Sequence, residues 1–202
     1  MWTRVLRNCT YFAVGVFLAS AFMLGTTHVR AAPERATLTN PVHPMRDESR
    51  VCSVVMIAPE RALTAAHCLN MNAPNVEING HLYAVTEGYA ASPRDIAVLI
   101  IPGAPCPCAV VSDTPLVEGD WVAAVGYPFD LARVVTYGEF QARIIDKADG
   151  QEYLLVTALG APGNSGGGLF NEHGDLVGIV VSGAQGHSLG AVELFTIEWP
   201  IK

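Results

Sequence analysis

Positive charge is scarce in this chain. Lysine and arginine together contribute 12 of its 202 residues, against 19 aspartates and glutamates, and the formal net charge is −7. After the first thirty positions the basic residues form no dense cluster. Because nucleic-acid binding requires a concentrated positive face that contacts phosphates, the sequence argues against a nucleic-acid partner.

The chain also lacks an apolar stretch long enough to span a membrane easily. Its apolar stretch at residues 11–25 is slightly shorter than the ~18 to 20 residues that cross a bilayer easily. Arg4 and Arg7 precede this stretch and small residues follow it, which is typical of a secretory signal, so we predict that residues 1–31 are one. The alternative is an uncleaved anchor that tethers the chain to a membrane. Either route predicts a secreted or extracytoplasmic domain, in the periplasm or at the cell surface.

Helical periodicity is missing from the second half of the chain, and short apolar runs separated by turn residues dominate both halves. Residues 32–50 contain three prolines and are predicted to form a linker that leads into the first strand. Asn79 and Gly80 are a strong signal for a two-residue hairpin turn. We predict an all-β fold, with an N-terminal β-barrel over residues 51–110 and a C-terminal β-barrel over residues 111–202.

Two segments place an ionisable residue at the end of an apolar run. Residues 63–68 read LTAAHC and contain His67, and residues 94–99 read RDIAVL and contain Asp95. Taken alone, the histidine is as well explained by a capped core position or an incidental metal ligand. Taken alone, the aspartate is explained by a turn cap at the start of a strand. Neither segment by itself predicts catalysis.

A third segment, residues 161–169, reads APGNSGGGL. A serine hydroxyl is a poor nucleophile that needs an adjacent base, and the oxyanion it generates needs hydrogen-bond donors fixed in advance. Gly163 can adopt backbone angles that turn its N–H and that of Ser165 toward one point, while Gly166 and Gly167 allow a close approach by substrate. A glycine-rich turn before a strand is the equally good alternative for this segment alone.

Together, the three segments resemble the chymotrypsin-like (trypsin-fold) serine peptidases, most closely in motif style the bacterial HtrA and V8-like types. The family's TAAHC-like strand end is matched at residues 64–68, its D-I-A-[VL]-[LI] strand at residues 95–99, and its G-[DN]-S-G-G turn at residues 163–167. The order of histidine, aspartate and serine is also the family's order. The resemblance covers residues 51–197 and implies two six-stranded antiparallel β-barrels in a minimal version of the fold.

The resemblance implies a serine endopeptidase that acts on a protein or peptide substrate and needs neither cofactor nor metal. His67 is the expected general base, Asp95 orients it, and Ser165 forms the acyl-enzyme. The backbone N–H groups of Gly163 and Ser165 are the expected oxyanion hole. Three alternatives remain open from the sequence: a catalytically inactive protease-like binding protein, an esterase or acyl transferase that uses the same triad, and a structural surface protein whose protease-like residues are vestigial.

The resemblance also implies a disulfide between Cys52 and Cys68, which braces the histidine loop and stabilises it by roughly 3 kcal/mol. Cys106 and Cys108 have no obvious partners in the sequence. They can stay reduced, bridge to another chain, or close an unusual small ring. A zinc site that uses them with a histidine is a weaker alternative, because no second ligand pair has a suitable spacing.

The resemblance implies that substrate specificity comes from two segments of the C-terminal half, one just before the serine and one in a later strand. The residues expected to bind substrate are Leu159, Gly160, Ala161, Val181, Ser182 and Gly183. The first segment contains no acid that would attract lysine or arginine, so we predict small or medium apolar side chains at the first substrate position. His187 and Glu193 are expected on loops near this pocket, and a histidine there would favour glutamate instead.

One departure from trypsin-type zymogens concerns activation. These zymogens are activated when a new N-terminus pairs with an acid just before the serine, whereas here that position is Asn164 and no Ile-Val-Gly-Gly junction exists. We therefore expect an enzyme that is active without this switch.

The serine that supports the family's catalytic acid aligns with either Val181 or Ser182.

Overall fold

A computed structural model describes residues 38, 40–91, 93–147, 150–184 and 188–194 of the chain. The predicted signal or anchor at residues 1–31 lies outside these residues. Within them, no helix combines the length and apolar character that a membrane crossing requires.

The N-terminal lobe is one antiparallel sheet of seven strands. The strands are β1 (Val42–Arg46), β2 (Val51–Ala58), β3 (Arg61–Thr64), β4 (Asn75–Ile78), β5 (His81–Ala84), β6 (Glu87–Ala90) and β7 (Ala97–Ile100). Their order across the sheet is β5-β4-β1-β2-β3-β7-β6, which makes a curled half-barrel. A short 3-10 helix, Ala66–Asn70, follows β3. The sheet therefore has seven strands where six were predicted for this lobe.

β1 explains the additional strand, because it lies inside the range predicted as a linker, residues 32–50. It pairs with β2, with Pro44 opposite Ser53, and both Val42 and Met45 are completely buried. Proline lacks the N–H that a sheet ladder uses and is usually confined to strand edges or ends, so its presence hid the strand signal. Strand structure thus begins before the predicted start at Val51.

The C-terminal lobe is a closed antiparallel barrel of six strands, as predicted. The strands are β8 (Trp121–Gly126), β9 (Val134–Ile145), β10 (Glu152–Val156), β11 (Gly168–Asn171), β12 (Leu176–Ala184) and β13 (Ser188–Glu193), in the order β10-β13-β12-β11-β8-β9. Closure leaves the sheet without free edges. The prediction of an all-β, chymotrypsin-like fold is confirmed.

The predicted hairpin turn at Asn79 and Gly80 is present between β4 and β5. Both residues have positive φ, 51° and 79°, and Ile78 faces His81 across the turn. These are the backbone angles that a two-residue hairpin loop requires, and asparagine and glycine tolerate them best.

The two lobes share apolar packing. Val181 of β12 and Phe170 of β11 belong to the same buried cluster as Val54 and Leu63 of the N-terminal lobe. A second cluster, which includes Phe140 and Leu154, fills the C-terminal barrel. Both lobes belong to one compact unit. Burial of apolar surface between the lobes therefore stabilises their relative position.

His43 in β1 predicts a pH-dependent loss of stability. Burial, with a smaller contribution from the charge of Arg133, lowers the pKa of this imidazole from 6.5 to about 4. An unfolded histidine takes up its proton near pH 6.5, so the unfolded state binds more protons than the folded state between these values. Stability that is fully present above pH 6.5 is therefore expected to fall by about 3 kcal/mol as the pH approaches 4.

Urea unfolding at a series of pH values measures this effect. The variant His43→Gln keeps a side-chain donor but does not titrate, so its stability should fall less steeply than that of the wild type between pH 6.5 and pH 4. Parallel curves for the two proteins would show that His43 does not carry the effect.

Candidate active site

The register of β3 and β7 brings His67 and Asp95 together. Thr64, the last residue of β3, lies opposite Ala97, the first residue of β7. His67 follows the end of β3 in the 3-10 helix, and Asp95 precedes the start of β7. Two motifs that are separated by 28 positions in the sequence thus meet at the same end of a strand pair.

Asp95 contacts His67 through both carboxylate oxygens. Oδ2 lies 2.7 Å from the ring Nδ1, and Oδ1 accepts a hydrogen bond of 2.9 Å from the backbone N–H of His67. Because an ionised carboxylate can only accept, Nδ1 is the donor in the first contact. The other ring nitrogen, Nε2, is then the unprotonated one in neutral imidazole, as a general base requires.

The carboxyl group of Asp95 is held in its ionised form. Burial raises its pKa, but the hydrogen bonds from the His67 side chain and backbone, together with the charge of the imidazolium form, outweigh burial and lower the pKa below its ordinary value. Hydrogen bonding to a charged form always favours that form. Asp95 therefore presents a negative charge to the imidazole at neutral pH.

Ser165 lies in a tight turn between β10 and β11. The N–H of Asn164 donates to the carbonyl of Ala161 at 3.0 Å, that of Gly166 donates to Val180 at 2.7 Å, and that of Gly167 donates to Asn164 at 2.8 Å. In the described part of the chain, the N–H groups of Gly163 and Ser165 have no acceptor. Both donors predicted from the sequence are thus unused among the described residues.

One cavity of about 350 Å³ brings His67, Gly163 and Ser165 together. Met71, Phe129 and the Cys52–Cys68 pair contribute to its walls. Among the described residues, the hydroxyl of Ser165 and the imidazole of His67 make no direct hydrogen bond. Such contacts are often long without substrate and tighten when it binds. The shared cavity is what places the two side chains next to each other.

Disulfides join both cysteine pairs of the described residues. The expected bridge from Cys52 to Cys68, with a Cα–Cα distance of 6.4 Å, ties β2 to the helix that carries His67. Cys106 and Cys108 are bonded to each other with a Cα–Cα distance of 4.8 Å, which is the small-ring alternative. No three potential ligands among histidine, cysteine and acidic side chains cluster as a metal site in the described ranges.

The residues expected to bind substrate differ in their exposure. Leu159 and Gly160 are exposed, with Leu159 at 60%, and they lie on the loop that leads to Ser165. Val181 is 5% exposed, and its side chain packs in the core shared by the lobes. Ser182 and Gly183 pair with β13, and the side chain of Ser182 is outside the described atoms.

The expectation that Glu193 lies on a loop near the pocket is wrong. Glu193 is the last residue of β13, is buried, and forms an ion pair with Arg143 of β9, whose Nε lies 3.0 Å from Oε2. An ion pair with two contacts holds the carboxylate within the barrel wall. His187 is outside the described residues.

Sequence reasoning missed two neighbours of the Ser165 turn. Ser53 of β2 is completely buried and its hydroxyl donates to the carbonyl of Gly163 at 2.8 Å. Phe129 follows β8 and its N–H donates to the carbonyl of Pro162 at 2.7 Å. The signal for Ser53 is a lone polar residue in the otherwise apolar run VCSVVMIA, and Phe129 has no comparable signal.

Two β lobes, a histidine–aspartate pair, and a serine in a glycine-rich turn that shares a cavity with the histidine define a protein of the chymotrypsin-like class. Residues 52–179 match the family model described as "Trypsin-like peptidase domain". The chain belongs to this family, and the resemblance that the three motifs indicated is confirmed.

The curated relatives are described as probable periplasmic serine endoproteases, DegP-like. The protein from Rhizobium meliloti is 51% identical over 63 residues, which are 30% of this chain and 12% of the relative. The protein from Chlamydia trachomatis is 33% identical over 100 residues, 46% of this chain and 20% of the relative. The matched part of the chain thus spans a fifth or less of the length of these relatives.

Solved structures agree on the fold. The active form of the Rv3671c protease from M. tuberculosis has a TM-score of 0.69 at 22% identity, over 94% of this chain and 89% of that one. The serine endoprotease from Yersinia pestis has a TM-score of 0.66 at 25% identity, over 78% of this chain and 60% of that one.

Proposed function

We infer that this chain is a serine endopeptidase with His67, Asp95 and Ser165 as its catalytic triad. The observation that carries the proposal is the cavity that His67 shares with Ser165 and Gly163, next to an imidazole held by both oxygens of Asp95. A base, its orienting acid, a nucleophile and two unused N–H donors are the groups that acyl transfer requires. Membership of the trypsin-like peptidase family supports the same conclusion.

In the acylation step, Nε2 of His67 accepts the proton of the Ser165 hydroxyl as Oγ attacks the carbonyl carbon of the scissile peptide. The carbonyl oxygen becomes an oxyanion, which the N–H groups of Gly163 and Ser165 stabilise by about 3 kcal/mol per donor. His67 then donates its proton to the departing amine, and the acyl group remains on Ser165. Asp95 stabilises the imidazolium form in between.

Deacylation repeats these roles with water. His67 accepts a proton from the water molecule, whose oxygen attacks the acyl carbon, and returns the proton to Oγ of Ser165 as the carboxylic acid leaves. All the required groups come from the chain itself, and no step uses a metal or cofactor.

The proposed substrates are proteins or peptides outside the cytoplasm. The basic and apolar pattern of residues 1–31 supports export, and the DegP-like relatives are described as periplasmic. The binding segments proposed are residues 159–161 and 181–183, of which 159–161 contain no charged side chain. We propose small or medium apolar side chains at the first substrate position.

Labelling with a fluorophosphonate tests the proposal. The reagent reacts covalently with an activated serine, so the wild type is expected to label and Ser165→Ala is not. Ser49→Ala removes an exposed serine remote in sequence from the turn and should label as the wild type does. Equal labelling of the wild type and Ser165→Ala would show that Ser165 is not activated and would favour a binding protein.

Product analysis then identifies the bond that is cleaved. An unstructured protein substrate digested by the wild type should give fragments whose new C-termini are enriched in small or medium apolar residues, as read by mass spectrometry. Hydrolysis of simple esters without any peptide cleavage would assign the chain to the esterases instead.

A further inference from the structure

Ser53 of the N-terminal lobe makes three hydrogen bonds to the C-terminal lobe. Its hydroxyl donates to the carbonyl of Gly163 at 2.8 Å and accepts from the N–H of Tyr127 at 3.0 Å. Its backbone N–H donates to the carbonyl of Ser165 at 2.7 Å. The residue is completely buried, so water does not compete for these groups.

Three consecutive carbonyl groups of the Ser165 turn are each held by a hydrogen bond. The carbonyls of Pro162 and Asn164 accept from Phe129 and Gly167. Because the C=O and N–H of a trans peptide point in opposite directions, these bonds turn the N–H groups of Gly163 and Ser165 the other way. The peptide unit between these two is held at its carbonyl by the Ser53 hydroxyl.

We propose that Ser53 is a positioning residue for the oxyanion hole, acting from the opposite lobe through the Gly163–Asn164 peptide. This inference rests on the serine-peptidase function proposed above. A rotation of that peptide would change the directions of the Gly163 and Ser165 N–H groups relative to each other, so the hydroxyl of Ser53 fixes the convergence of the two donors. Donors aligned in advance need no reorganisation during the reaction.

The backbone of Ser53 keeps the turn in place independently of its hydroxyl. A Cβ at Gly166 would collide with the carbonyl oxygen of Ser53 and with Oγ1 of Thr64, so the turn lies directly against β2. Thr64 also donates to the Ser53 carbonyl at 2.9 Å. Removal of the hydroxyl alone therefore leaves the two lobes docked but leaves the Gly163 carbonyl and the Tyr127 N–H without their partner.

The test compares Ser53→Ala with Ser112→Ala. Ser112 is a matched control: it is also buried, and its hydroxyl also donates to one backbone carbonyl and accepts from one N–H, both of Thr114. We expect Ser53→Ala to lower kcat roughly 10- to 100-fold, with KM changed less than about twofold, because the hole acts mainly in the transition state. Ser112→Ala should lose thermal stability and keep its kcat. Ser53→Thr, which keeps a hydroxyl, should recover part of the loss.

A second readout separates positioning from general damage. A peptide aldehyde binds by forming a tetrahedral adduct that places an oxyanion in the hole, whereas a product peptide does not. Ser53→Ala should weaken the aldehyde in parallel with kcat and leave the affinity for the product peptide unchanged. Equal kcat in Ser53→Ala and the wild type, or equal weakening of both ligands, overturns the inference.

Two further outcomes remain distinguishable. If Ser53→Ala does not fold, a crystal structure of the wild type with the aldehyde decides: the Ser53 hydroxyl on the Gly163 carbonyl supports the inference, and a Gly163 carbonyl turned into the hole overturns it. If the wild type itself fails to react with a fluorophosphonate, the proposed function fails, and the role of Ser53 fails with it.

Discussion

Replacement of Asp95 by asparagine is expected to lower kcat by about 10⁴-fold, the size of effect that such a change has in triad enzymes. In this structure both oxygens of Asp95 accept hydrogen bonds from His67, one from the ring and one from the backbone. An amide has only one acceptor oxygen, so its NH₂ must face either the ring Nδ1 or the backbone N–H. If it faces the ring, Nδ1 becomes the acceptor and Nε2 carries the proton, which prevents it from acting as a base.

Steady-state kinetics on a peptide substrate measure this effect. Asp113→Asn is the matched control, because Asp113 is an exposed aspartate in the segment before the C-terminal barrel and its exchange should leave kcat unchanged. Unfolding by urea checks that Asp95→Asn remains folded. A loss of less than about tenfold would mean that Asp95 does not set the tautomer of His67, and the triad assignment would need another acid.

Replacement of Gly163 by alanine is expected to lower kcat by about 10²- to 10³-fold, the cost of losing one oxyanion donor. Gly163 has a φ of 100°, which side chains rarely adopt, and a Cβ there would collide with the carbonyl oxygen of Tyr127. Relief of the collision has to move the peptide whose N–H is the proposed donor. The variant should therefore lose both stability and transition-state stabilisation.

Gly119→Ala separates the two effects. Gly119 has a similar φ of 88°, but a Cβ there meets nothing within 4 Å. This control carries the backbone strain without the collision, so it should lose stability and keep its kcat. If Gly163→Ala retains the kcat of the wild type while its stability falls, Gly163 is a structural glycine only and does not supply the hole.

Much of the fold and the candidate site was accessible from the sequence because the relevant signals are local. His67, Asp95 and Ser165 each lie in a short motif, and the Asn79–Gly80 turn needs backbone angles that these two residues adopt readily. For the residues expected to bind substrate, the sequence did not indicate which side chains are exposed and which are buried. Val181 packs in the shared core, beside the bulge between Val180 and Ser182, and a valine in an apolar strand does not by itself indicate which side of the strand it faces.

The rest depends on contacts between distant parts of the chain. Ser53 meets partners 74 and 110 positions away, and a single polar residue in an apolar strand does not reveal them. Pro44 obscured the strand signal of β1, whose position in the sheet is fixed by pairing with β2 and β4. Phe129 and Asp130 have positive φ although neither is glycine, and Arg46 of β1 pairs with Asp130. Tertiary contacts hold these angles against their local preference.

The apolar cluster that spans both lobes has a consequence for the newly made protein. A chain of which only the first lobe has folded already contains the imidazole and carboxylate, yet it leaves uncovered the apolar side chains that Phe170 and Val181 later cover. Such an intermediate has a proton acceptor but no nucleophile. On the proposed function, such an intermediate cannot cleave a peptide bond, because the second lobe supplies the reactive hydroxyl.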